Sequence, residues 1–215
     1  MNKAEDRKFM KFVAGVIAAW FAVVLSASVL HLFRTGPDVP PFPIGLAVLI
    51  PVALFSVWFA ASSRFREFAF ALNTRTLTMV QAWRIGGFLF LVLYTYHILP
   101  GIFALPAGWG DMAIGATAPI VAMTLAKSKR KISFMLWHLL GMADLLMAVS
   151  LGAAAAFIDP HGIPTSAMTA LPLSLIPTFA VPLLMILHII CIAQARRWPE
   201  RPYRNISEQA PASAA

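Results

Sequence analysis

Six apolar runs, each long enough to cross a bilayer, divide this chain and leave little outside them. A spanning α-helix needs about 20 predominantly apolar residues, because backbone groups in hydrocarbon must bond within the helix. Segments 9–33, 43–61, 79–103, 109–126, 132–158 and 171–195 reach that length. The composition agrees: 60% of residues are hydrophobic and 12% charged, about half the charged fraction of a soluble domain. The expected fold is all-α, a polytopic transmembrane bundle of six spans forming one domain over 1–197. A Pro-, Ala- and Ser-rich tail over 198–215 is expected to be disordered and cytoplasmic.

Chain breakers fall between the runs. Arg34-Thr35-Gly36-Pro37 closes the first, Pro100 and Pro106 break the end of the third, and Asp159-Pro160-His161-Gly162 ends the fifth. The basic residues alternate with equal regularity. Of 17 Lys and Arg, four (Lys3, Arg7, Lys8, Lys11) lie at the N-terminus, and Arg64, Arg66 and Arg75 follow the second run. Lys127, Lys129, Arg130 and Lys131 follow the fourth, and Arg196, Arg197, Arg201 and Arg204 follow the sixth. The other side has only Arg34, so both termini are expected in the cytoplasm and the protein in the cytoplasmic membrane. The net charge of +8 is thus a topology signal; its clusters do not form a nucleic-acid surface.

Three local features refine this layout. A basic start, an apolar run and Ser26-Ala27-Ser28 also fit a cleavable signal peptide, although the run continues to Phe33, long for such a segment. Between the second and third runs, Phe65, Phe68 and Leu72 share one helical face beside arginines, so a short helix is expected in the cytoplasmic headgroup layer. Asn205-Ile206-Ser207 matches a glycosylation sequon that a cytoplasmic tail would never present to that machinery. There is also a faint internal echo: Trp83-Arg84-Ile85-Gly86-Gly87 resembles Trp137-His138-Leu139-Leu140-Gly141.

The candidates for a functional site are the ionisable groups inside the runs. Each costs about 2.5–3.5 kcal/mol on insertion scales and normally faces protein or water. Counting from the basic flanks places Gln81, Arg84, His138 and His188 near the cytoplasmic side, with Asp144 nearer the middle. His31, His97 and Asp111 fall toward the outer side. His138 and Asp144 are six residues apart, about 120° around the helix and about 9 Å along it, so they are not a direct pair. Asp144 shares a face with Gly141, Ala148 and Gly152, and Asp111 with Gly108, Gly115, Ala118 and Ala122. Small-residue stripes let helices approach closely, so both carboxylates are expected inside protein.

Four functions are compatible with that arrangement. A transporter-like protein would use Gln81, Arg84, His138, Asp144 and His188 as a buried path for a proton or small molecule, with Arg84 holding an anion or pairing with Asp144. Pro119, Pro172, Pro177 and Pro182 would supply the helix irregularities such cavities use. A b-type haem electron carrier would ligate one haem through His138 and His188 and another through His31 and His97. A metal-dependent hydrolase would need about three ligands at one depth, and each layer offers two histidines, with Asp111 as a possible third outside. A scaffold or accessory subunit would use its helix faces to form a homo-oligomer or membrane complex. Walker, GxGxxG, HExxH and CxxC motifs are lacking, and the single cysteine, Cys191, excludes disulfide frameworks and thiolate clusters. An enzymatic role therefore has little support in these residues, and the expected partners are lipid and a small-molecule or proton substrate.

Overall fold

The computed structural model describes residues 3–35 and 42–199. Gly36 and Pro37, and residues 200–215 of the expected tail with the Asn205 sequon, lie outside the described residues. All regular structure within them is helical. Helix α1 is Lys3–Val29, α2 is Phe42–Ala61, and α3 is the short Ser63–Ala71. Then come α4 over Thr74–Thr95, α5 over Gly101–Thr124, α6 over Lys131–Ile158 and α7 over Ile176–Arg196. Five helices are long and apolar enough to cross a membrane: α1, α2, α4, α6 and α7. Helix α5 has 24 residues but is not among the five. It is rich in Ala and Gly, carries Asp111, and packs along α4 and α6 at the centre of the bundle.

The turn between α4 and α5 differs from the sequence expectation. The third run was expected to reach 103 and the fourth to start at 109. Instead α4 ends at Thr95, and His97 takes the left-handed conformation (φ 58°) just beyond it. Ile98 N–H then reaches back to the Leu93 carbonyl at 2.9 Å, a Schellman-type closure. Pro100, in extended conformation, is the N-cap of α5, so Pro106 lies inside that helix. His31 closes α1 in the same way, with φ 58° and a 2.9 Å bond from Leu32 N–H to the Ala27 carbonyl. Histidine tolerates this region better than most non-glycine residues.

The expected short helix between the second and third runs is α3. Ser62 caps it by accepting a 3.2 Å bond from Phe65 N–H. Phe65 is buried, its ring stacked 3.9 Å from Trp58 of α2, and Phe68 meets Phe9 of α1. The Arg66 guanidinium donates to the Phe59 and Ala60 carbonyls, satisfying the open end of α2. Gln194 of α7 joins α3 to α4: its amide donates to Ala69 and Leu72, and its oxygen accepts from Thr74. Helix α1 rests on the other helices mainly through aromatic contacts, such as Trp20 on Phe179. An apolar groove of about 350 Å³ runs between α1, α2, α3 and α7.

Small residues set the spacing at the centre. Gly115 of α5 faces the α4 backbone, where an added Cβ would overlap the Ile85 nitrogen and lie 2.8 Å from the Arg84 carbonyl carbon. Ala118 and Ala122 continue that face and are buried. Gly86, by contrast, faces open space. Replacing Gly115→Ala should therefore lower the melting temperature in detergent markedly, because backbone cannot swing aside. Gly86→Ala should be neutral or raise stability by up to about 1 kcal/mol through helix propensity. Equal melting curves for the two variants would contradict this packing.

Candidate functional site

The site begins with a change in the winding of α4. Residues Gln81–Gly87 form a 3-10 helix between two α-helical halves. A 3-10 helix repeats every three residues, so side chains at i and i+3 line up along one edge. Thr78, Gln81, Arg84 and Gly87 follow that spacing and are all buried, while Trp83 points outward with 81% exposure. Gly87 leaves room for Asp111, whose Cβ occupies the space a side chain would need.

Arg84 is the hub. Its Nε donates to Asp111 Oδ1 at 2.7 Å, and its Nη2 pairs with Asp144 Oδ2. Nη1 donates to the Gly141 carbonyl at 2.9 Å and lies 3.4 Å from His188 Nε2. The Arg84 side chain is 1% exposed, those of Asp111 and Asp144 16% and 11%. His188 Nδ1 is 2.7 Å from His138 Nδ1, and His138 Nε2 is 3.4 Å from Thr78 Oγ1. The Thr78 hydroxyl donates to the Thr74 carbonyl at 2.8 Å.

Donor and acceptor matching gives this series a direction. A guanidinium can only donate, so His188 Nε2 accepts and the proton of a neutral His188 sits on Nδ1. It donates to His138 Nδ1, which leaves His138 with its proton on Nε2, facing Thr78. Arginine therefore sets both tautomers, and every bond points from Arg84 toward the Thr74 end of α4.

Of the five residues expected to share an inner path, Arg84, His138, Asp144 and His188 are joined, with Asp111 beside them, and Gln81 lies on the same edge of α4 without bonding to them. Counting from a helix start at 109 placed Asp111 at the outer surface; α5 begins at Gly101, which puts Asp111 about 15 Å along it. His138 and Asp144 do not touch, as their spacing implied, and are joined through His188 and Arg84. Gln81 donates weakly to the Leu184 carbonyl at 3.3 Å, and its Oε1 is buried without a partner. His31 and His97 are exposed at helix ends, outside this cluster. Reasoning from sequence did not find Thr78 or the Gly141 carbonyl; Thr78 belongs to the three-residue repeat through Gln81 and Arg84.

On the other side of Arg84 lies a cleft of about 100 Å³, at the end where α2 begins and α6 finishes. Its wall includes Ile44, Phe90, Phe103, Asp111, Gly152 and Ile176. Ile176–Ala180, the first turn of α7, is a π-helix containing Pro177, an irregularity of the kind the prolines predicted.

Haem does not fit the inner histidines. Two metal–nitrogen bonds of about 2.0 Å would hold the ligand atoms about 4 Å apart on opposite sides of the metal. The facing Nδ1 atoms are already within hydrogen-bond distance, and the ring centroids are 5.0 Å apart. Among the described residues, no three His, Cys, Asp or Glu side chains gather as a metal site.

Helices apolar enough to span a membrane, packed around a buried Asp–Arg–Asp cluster, define the class of protein. The particular family follows from the sequence: residues 41–196 match the family described as a domain of unknown function, DUF8737, and the chain belongs to it. The matched span runs from just before α2 to the end of α7, so it contains the whole cluster and omits α1. No curated protein and no solved structure matches the chain.

Removing the guanidinium leaves two buried carboxylates unpaired, so Arg84→Met should cost on the order of 3–5 kcal/mol of stability. Asp144→Asn retains the Asp111 pair and should cost clearly less, and the double variant should recover part of the Arg84→Met loss. Thermal unfolding of the three proteins in one detergent checks the order.

Proposed function

We propose that this chain is a six-span protein of the cytoplasmic membrane, with α5 as the sixth span, both termini cytoplasmic and α3 in the cytoplasmic headgroup layer. The alternation of basic loops supports that orientation. Its activity is transporter-like and coupled to protons. The observation that carries this reading is the pairing at Arg84: one permanently charged guanidinium is held by two carboxyl groups, one more than its charge needs, so a proton can bind there without leaving Arg84 unpaired.

A proton arriving from the cleft neutralises one carboxylate and removes one of the two ion pairs that restrain Arg84. The guanidinium itself cannot relay that proton, because it does not deprotonate in proteins. Arg84 therefore stands as a barrier between the carboxylates and the two histidines, so protons cross only when Arg84 moves. That is the behaviour of a coupled carrier, not of an open proton channel. The 3-10 segment carrying Arg84 supplies the place for movement.

Liposomes containing the purified protein and an internal pH dye test this under an imposed pH gradient. Challenged with a panel of small cations, neutral solutes and anions, wild type should change internal pH with at least one class. Asp144→Asn should slow that change tenfold or more. Identical traces from wild type, Asp144→Asn and empty liposomes across the panel would overturn the proposal. Orientation is checked separately in a Cys191→Ala background: cysteines placed at Glu5 and Ser207 should label from the cytoplasmic side only, and one at Thr35 from the outer side only.

A further inference from the structure

We propose that the cleft ending on Asp111 is the substrate site, and that it takes a small organic monocation bearing one apolar arm. This deepens the transporter-like reading and rests on it for the use made of the bound molecule, although binding itself does not require transport. Charge decides the class first. Arg84, the one cation of the cluster, is 1% exposed and already engaged by Asp111, Asp144, the Gly141 carbonyl and His188. An anionic substrate would find no free guanidinium, which removes the anion-holding role open to Arg84 from sequence alone.

A cation meets the opposite situation. Asp111 forms part of the cleft wall, and only its Oδ1 is held by Arg84. Among the described residues Asp111 Oδ2 accepts no hydrogen bond, and with both carboxyl groups ionised one guanidinium leaves one negative charge for a bound cation to balance. The rest of the wall is nearly all apolar, with Thr165 and Thr169 its other polar side chains, their hydroxyls donating to the Gly152 and Ser166 carbonyls. Phe90 and Phe103 lie with ring centroids 5.4 Å apart, and aromatic faces attract organic cations. Strongly hydrated inorganic ions are disfavoured there, since such a wall offers few oxygens to replace their water. The volume of about 100 Å³ is smaller than the apolar cavity of about 150 Å³ that holds benzene, so it suits a short alkyl arm and not a ring.

Butyltrimethylammonium is a suitable probe because its arm is a short alkyl chain, its charge is permanent and it does not cross lipid as a neutral base. Calorimetric titration of the full chain in nanodiscs should show it binding at least tenfold more tightly than 1-butanol, with no binding of butanesulfonate. Asp111→Asn should weaken the cation tenfold or more and leave 1-butanol nearly unchanged. Gly152→Leu provides a second variant that keeps Asp111: an added Cβ there meets Phe103 at an ordinary 3.5 Å, and the longer side chain fills the cleft. It should abolish binding of both compounds without lowering the melting temperature. Equal affinity for the cation and the alcohol, or a cation affinity indifferent to Asp111→Asn, would overturn the assignment and mark the cleft as a seat for a lipid chain. Cation-selective binding without proton-coupled flux would sink the transporter reading alone. Flux sensitive to Asp144→Asn without cation preference would sink this inference alone.

Discussion

The attraction between Arg84 and its two carboxylates organises the centre of this bundle. A buried guanidinium is tolerable only when its donors are met, and here they are met by three different helices: α5 through Asp111, α6 through Asp144 and the Gly141 carbonyl, and α7 through His188. The surrounding glycines follow from that demand. A side chain at Gly110 would overlap the Asp144 carboxylate, and one at Gly141 would fall 2.5 Å from the His188 ring. The helices approach closely because a charged side chain of fixed length must reach all of its partners.

Much of this was legible in the sequence. Long apolar runs identified the helices, and the stripes through Asp111 and Asp144 correctly marked surfaces that face other helices. The separation of His138 from Asp144 followed from spacing, and pairing with Asp144 was one of the two roles the sequence left open to Arg84. Two things did not. Proline was read at Pro106 as a break, whereas the chain turns earlier, at a left-handed histidine that carries no strong sequence mark. The 3-10 winding of Gln81–Gly87 was equally hidden, since a tertiary demand for Arg84 and Gly87 on one edge overrides the α-helical repeat. Without it, Thr78 could not be seen as the last side chain of the hydrogen-bonded series.

The echo between Trp83-Arg84 and Trp137-His138 has a spatial counterpart. Arg84 and His138, the residues that follow the two tryptophans, both meet His188, one at each ring nitrogen. His188 thus separates a charged half of the cluster from a neutral half, and its tautomer is dictated by the charged one. The family match leaves out α1, and among the described residues none of α1 bonds to this cluster. The charged machinery belongs to the shared part of the chain.

The mixed winding of α4 has a mechanical side. A 3-10 helix advances about 2.0 Å per residue and an α-helix about 1.5 Å. The two also differ by about 20° of rotation per residue. If the seven residues Gln81–Gly87 rewound as α-helix, α4 would shorten by about 3.5 Å and its Phe88–Thr95 half would screw through about 140°. A single helix would thereby convert the release of one side chain into combined translation and torsion at the far rim, as a threaded shaft turns a small advance into rotation.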